Sequence, residues 1–256
     1  MPGKARRIPR DGIVKALEAA VKPLPYVRSF WEGGAVSFDR EDRFSDIDAY
    51  LYVDEGKEAE TFEVVEKALL KLSPISLRYV PKEGHPGVTQ AFYRLERADE
   101  YHLLDLAVMT PRSPELFLEP EIHGRAVFHF NKKGGVKVPH LDEKAFSRQL
   151  RETFERCRAR FLMFNNFVEK EIARGNLLEA MDYYYGITLS ILVVLLRMKH
   201  DPHHHNFRMR YVHYELPPAT LRRLERLYLV KDVGDLKAKY RDASRWVWEL
   251  LEAGPP

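Results

Sequence analysis

Apolar positions recur at helical spacing from Asp11 to Val21, where Ile13, Leu17, Ala20 and Val21 share one face, and Pro23 and Pro25 end the run. The period then shortens. Val27 to Trp31 reads as a strand running into Gly33-Gly34, and "DIDAYLYV" from Asp46 reads as a second strand with alternating faces. Phe62, Val65, Leu69 and Leu72 return to helical spacing. Three strand-like segments follow, "ISLRYV" from Ile75, "VTQAFYRL" from Val88 and "YHLLDLAVM" from Tyr101. "RAVFHF" and the turn "NKKGG" close this half. The order of elements predicts a mixed sheet with flanking helices over residues 1–138.

Past Pro139 the pattern is helical throughout. Phe146, Leu150, Phe154, Cys157, Phe161, Phe164 and Val168 mark one long helix with a buried face, and further helices are expected at about 177 to 198, 219 to 230 and 236 to 252. The second half, 139–256, is therefore a helical bundle, and the whole is an α+β protein. No internal repeat or low-complexity segment interrupts it.

Composition narrows the function classes. A chain of 256 residues with 45% hydrophobic content can bury a substantial core. Its 41 basic and 38 acidic residues leave a net charge of only +3, too small for a global field that attracts polyanions, so nucleic acid is not an expected partner. The basic opening "GKARRIPR" reads as a solvated tail rather than a nucleic-acid or membrane arm. A single cysteine, Cys157, excludes an internal disulfide, and the absence of a leader pattern suggests a cytoplasmic protein. The longest apolar run, Ile187 to Leu196, has ten residues and predicts a core helix rather than a membrane span.

Candidate chemistry concentrates in "WEGGAVSFDREDRFSDIDAYLYV". On a strand, Asp46 and Asp48 project to one side while Ile47 and Ala49 enter the core. Two carboxylates about 4 Å apart repel by roughly 4 kcal/mol at an effective dielectric near 20, a cost that a bound hard cation such as Mg²⁺ offsets. Asp105 lies inside an otherwise apolar strand, where a charge needs a partner or a metal. If that strand neighbours the Asp46 strand, three acids converge. An isolated Asp-x-Asp more often solvates a strand end; the Gly pair ahead of it and Asp105 behind it tip the balance toward a metal site. Glycines at that turn would allow backbone N–H groups to approach a phosphate. The cluster His200, His203, His204, His205 and His213 holds residues that ligate transition metals, but without a Cys or Glu at metal spacing it reads as incidental loop.

These residues resemble the nucleotidyltransferase superfamily that includes DNA polymerase β and the antibiotic nucleotidyltransferases. The signature is a hydrophobic strand, Gly-Gly or Gly-Ser, a gap of roughly ten residues, Asp-hydrophobic-Asp/Glu, and a third carboxylate on a later strand. Here it is matched by Gly33, Gly34, Asp46-Ile47-Asp48 and Asp105. "FSDIDAYLYV" looks most like the aminoglycoside and lincosamide enzymes; "EIHGRAVFHFNKKGGV" and "RGNLLEAMDYYYGITLSILVVLLRMKH" extend the likeness into the closing strand and the C-terminal bundle.

The resemblance implies that two Mg²⁺ ions on Asp46, Asp48 and Asp105 bind ATP or another nucleoside triphosphate. It also implies transfer of a nucleoside monophosphate, AMP by expectation, to a hydroxyl of a small-molecule acceptor, an antibiotic being one candidate. Gly33, Gly34, Ser37, Arg40 and Ser45 are the expected nucleotide contacts, and Glu179 or Asp182 a candidate base or acceptor contact from the bundle side of a cleft. An acidic acceptor pocket for a cationic antibiotic would draw on Glu152, Glu155, Glu169, Glu171 and Glu179. The chain departs from the family at Ala35, where a serine hydroxyl is usual, and at Phe38, where a cation is common. Two alternatives share these residues: the nucleotidyltransferase component of a toxin–antitoxin pair acting on protein or RNA, and a non-catalytic nucleotide-binding relative. A homodimer is compatible with the leading reading.

Overall fold

The computed structural model describes residues 7–82 and 86–255 and resolves into two compact units, Met1–Leu141 and Asp142–Pro256. Of the basic opening segment, Gly3 to Arg6 lie outside the described residues. Arg7 pairs with Asp99 at 2.5 Å, and Arg10 begins the first helix.

The first unit is a six-stranded mixed sheet. Helix α1 (Arg10–Val21) precedes β1 (Val27–Glu32), a short 3₁₀ turn (Val36–Phe38), β2 (Ile47–Val53) and α2 (Glu58–Leu72). Strands β3 (Ile75–Tyr79), β4 (Val88–Leu95) and β5 (Leu104–Met109) follow, then the one-turn helix α3 (Pro120–His123) and β6 (Val127–Asn131). The strand order is β3-β4-β5-β2-β1-β6, with β2 and β5 the parallel pair and the other neighbours antiparallel. The expected strand from Tyr101 starts only at Leu104, because Asp99 holds residues 99–103 in turns through its side chain and carbonyl.

Alternation along β2 divides the sheet. Ile47, Ala49, Leu51 and Val53 are buried with Ile13, Leu17 and Val21 of α1 and Phe62, Val65 and Leu69 of α2, which form one core. Asp48, Tyr50 and Tyr52 face the other way, toward a smaller cluster of Trp31, Met109, Leu118 and Val136. The segment between β5 and β6 covers that second face with little regular structure, so it can carry side chains that a packed helix pair would exclude.

The second unit is helical: α4 (Glu143–Phe164), α5 (Phe167–Arg174), α6 (Leu177–Tyr183), α7 (Ser190–His200), α8 (Val212–Glu215), α9 (Pro218–Tyr228) and α10 (Val233–Glu252). The single helix expected through Val168 is two. The chain turns at Asn165-Asn166, where the Asn165 amide donates to Tyr240 Oη and Ser244 Oγ at 3.0 Å and its Oδ1 accepts from Thr188 Oγ1 at 2.8 Å. Val168 is buried on the new helix, while Phe164 is exposed.

Between α6 and α7 the chain keeps turning as a π-helix, Tyr184–Leu189, a departure that apolar spacing does not register. The run Leu177–His200 is long and apolar enough, by length and composition, to cross a membrane. Its apolar positions Ile187, Leu189, Leu192, Leu195 and Leu196 are nevertheless buried inside this unit. Arg197 is fully buried too, with its guanidinium on Glu215 Oε2 at 2.6 Å and on the carbonyls of Arg208 and Arg210. This favours a core helix.

Candidate active site

Strand pairing brings the expected acids together. In the parallel pair, Asp48 of β2 stands directly across from Asp105 of β5, so both project from the same face. Asp46 lies one residue ahead of β2 and is exposed; Asp48 and Asp105 are half-buried. Asp105 carries the clearest electrostatic signature. Burial pushes its carboxyl above the ordinary carboxylate range, a hydrogen bond from Gln90 Nε2 at 2.6 Å pulls it down, and the Asp46 charge pushes it up again. Asp46 and Asp105 therefore feel each other.

The glycine pair is built into this group. Gly33 N donates to the Asp48 carbonyl at 3.0 Å, and Gly34 adopts φ +62° with its Cα so close to Asp48 that a Cβ would lie 1.7 Å from the carboxylate Oδ2. A Cβ on Gly33 would meet the Tyr50 ring at 2.9 Å. The requirement for Gly-Gly thus comes from the side chains of β2.

The other expected nucleotide contacts divide. Ser37 is buried, and its hydroxyl lies 2.8 Å from the Gly34 carbonyl and 2.7 Å from the His123 carbonyl. Its one proton is taken up by these two carbonyls, so in this conformation the hydroxyl expected as a nucleotide contact is unavailable to a phosphate. Arg40 is half-buried with its guanidinium 5.1 Å from the Phe38 ring centre. Ser45 Oγ accepts from Asp42 N at 2.9 Å and organises the turn before β2. Glu179 and Asp182 are exposed on α6 of the second unit. Of the five glutamates considered for an acidic pocket, Glu171 is buried and tied to Arg174 and Asn176.

Three features escaped sequence reasoning. Gln90, two residues along β4 from the partner of Asp105, orients that carboxyl. Registers also align Tyr79, Phe92, Asp105 and Asp48 in one row across the sheet, an aromatic shelf beside the acids. Beneath the loop that carries Asp46, Arg10 pairs with buried Glu32 at 2.5 Å and with Glu41 at 3.3 Å, and His129 reaches Glu32 at 2.8 Å. Only the alternation of β4 hinted at the first two. The third joins residues more than a hundred positions apart.

The histidine cluster is more ordered than an incidental loop. His204 and His205 are buried, and His204 Nδ1 lies 2.7 Å from Asp201 and 3.1 Å from Glu215, which also holds Arg197. Asp201, His204 and Glu215 converge closely enough for a metal, but a hydrogen-bonded imidazole and a guanidinium already satisfy them.

No family model matches the chain, and no curated protein matches its sequence. Among solved structures, it is similar to an aminoglycoside 6-adenyltransferase from Bacillus subtilis, at 15% identity and a TM-score of 0.35, over 97% of this chain and 93% of that one. It is also similar to an H. pylori chain provisionally described as a nucleotidyltransferase, at 10% identity and a TM-score of 0.27, over 95% of both. TM-scores this low lend the site no weight, which rests on the residues themselves.

Proposed function

We propose that this chain is a cytoplasmic nucleotidyltransferase that moves a nucleoside monophosphate, AMP from ATP in the first instance, onto a hydroxyl of a small molecule. The observation that carries the reading is the facing of Asp48 and Asp105 on parallel strands, with Gly34 folded against the Asp48 carboxylate. Three carboxylates on one face, one of them desolvated and repelled by another, form an all-oxygen donor set that suits Mg²⁺. Asp46, Asp48 and Asp105 would hold it. When bound, the metal supplies charge neutralisation for a triphosphate.

The transfer forms a bond from the acceptor oxygen to the α-phosphorus and breaks the bond from that phosphorus to the bridging oxygen, releasing pyrophosphate. Asp105 would complete the metal site and assist removal of the hydroxyl proton. Gln90 positions it, and the Gly33-Gly34 backbone gives the phosphates a close approach. Calorimetric titration with Mg²⁺ and ATP tests the site. The native protein is expected to bind and Asp46→Asn to bind at least tenfold more weakly, whereas equal binding, or none by either, would sink the reading.

A second reading has its own observation. Ala35 offers no hydroxyl and the Ser37 hydroxyl is turned inward, as in a protein that binds a nucleotide without transferring it. Pyrophosphate release over a panel of hydroxyl acceptors and all four triphosphates separates the two. Transfer predicts release that falls roughly 10²–10³-fold in Asp48→Asn; simple binding predicts none.

A further inference from the structure

We propose a second, chemically distinct metal site formed by Glu115, Glu119 and His123, which takes a transition-metal dication of the Zn²⁺ class. The three lie on the segment that covers the sheet face bearing Tyr50 and Trp31, and each offers one ligand atom within 4.8 Å of the others. His123 Nε2 is 3.4 Å from Glu115 Oε1 and 3.8 Å from Glu119 Oε2. With metal–ligand bonds of about 2.1 Å, the shorter separation corresponds to an angle of about 110° at a shared ion and the longer to about 130°, close to tetrahedral.

A second observation points to a ligand. His123 Nε2 and Glu119 Oε2 are both shielded from solvent, and among the described residues neither has a hydrogen-bond partner. Buried polar atoms are ordinarily hydrogen-bonded, and these two ligand-type atoms, 3.8 Å apart with no hydrogen bond to either, leave room for an ion between them. The contrast within the same chain is instructive. Around His204, hydrogen bonds of 2.7 Å to Asp201 and of 2.6 Å from Arg197 to Glu215 fill the atoms that a metal would use. Around His123 the corresponding separations are 3.4 and 3.8 Å, and no hydrogen bond reaches the imidazole Nε2.

The donor set differs from that of the three aspartates. One imidazole and two carboxylates suit Zn²⁺ and its neighbours, whereas Mg²⁺ prefers oxygen alone. Three protein ligands leave a fourth position for water. Phe117 takes φ 54°, and its ring packs edge-on against His123 at 5.4 Å between centres. The consequence reaches the glycine turn. The His123 carbonyl lies 2.7 Å from Ser37 Oγ, and Arg125 N donates to the Ser37 carbonyl at 2.7 Å, so an ion on His123 braces the Gly34–Phe38 turn from outside.

The test uses the full chain, stripped of metal and titrated with Zn²⁺ by calorimetry in excess Mg²⁺, with Co²⁺ absorption reporting the geometry. One equivalent of Zn²⁺ is expected to bind and to raise the melting temperature. Its affinity should fall at least tenfold in Glu119→Gln and His123→Ala and stay unchanged in His204→Ala and Asp46→Asn. Glu119→Gln keeps the side-chain shape, and its near-ultraviolet circular dichroism checks folding. No saturable Zn²⁺ binding, binding unchanged in both variants, or loss in His204→Ala instead would overturn the proposal.

Discussion

At the scale of single residues, Gly34 shows how a turn and a carboxylate can depend on one missing atom. Its left-handed backbone alone would penalise alanine by about 1–2 kcal/mol, and the added Cβ would also collide with Asp48. Gly56 provides the control, since it has φ +78° but open space around it. Gly34→Ala is therefore expected to lose at least as much stability as Gly56→Ala in urea titrations, while only Gly34→Ala loses Mg²⁺-dependent nucleotide binding. Equal nucleotide binding by both variants would show that Asp48 does not need that space. The Gly-Gly pair and the aspartates could be read from the chain as candidates, because their residue types limit what they can do. The role of Ser37 could not, since only the folded turn places two carbonyls around its hydroxyl.

At the scale of elements, Glu32 ties α1, β1 and β6 together through Arg10 and His129. Burial alone would raise its carboxyl, but the His129 hydrogen bond and the Arg10 charge outweigh this and hold it below its ordinary value of 4.5. A depressed folded value means that the contribution is complete above the unfolded value and is lost as pH falls through the folded one. Glu32→Gln should thus cost about 3–5 kcal/mol at pH 7, and the denaturation midpoints of the two proteins should converge as pH drops below 4.5. Midpoints that stay parallel down to pH 3 would assign the stability elsewhere. Helices α1, α2, α9 and α10 are legible from apolar spacing because each buries one face. The turn at Asn165 and the π-segment at Tyr184–Leu189 are not, because each goes with partners distant in sequence: Tyr240 and Ser244 for the first, and for the second the carbonyls of Leu227 and Tyr228, which accept from Tyr184 and Tyr185.

At the scale of the whole molecule, the chain forms two units, each with its own buried residues. The helical unit forms ion pairs within itself, among them Arg197 on Glu215 and Arg223 on Asp242. Residues 142–256 produced alone are therefore expected to give a helical circular dichroism spectrum and a cooperative melt, and a featureless melt would show that the unit needs the rest of the chain.

The sequence by itself determined the succession of elements, the α+β class and the candidate acids, because hydrophobic period and residue chemistry are local properties that survive without a fold. Only the tertiary structure decided that β5 pairs with β2 in a register that sets Asp105 against Asp48, that Gln90 holds Asp105, and that Glu115, Glu119 and His123 meet. Each of these depends on strand order, register or the path of an irregular segment. Those are set by the packing of the whole sheet, and a one-residue slip in β5 would turn its acid to the other face.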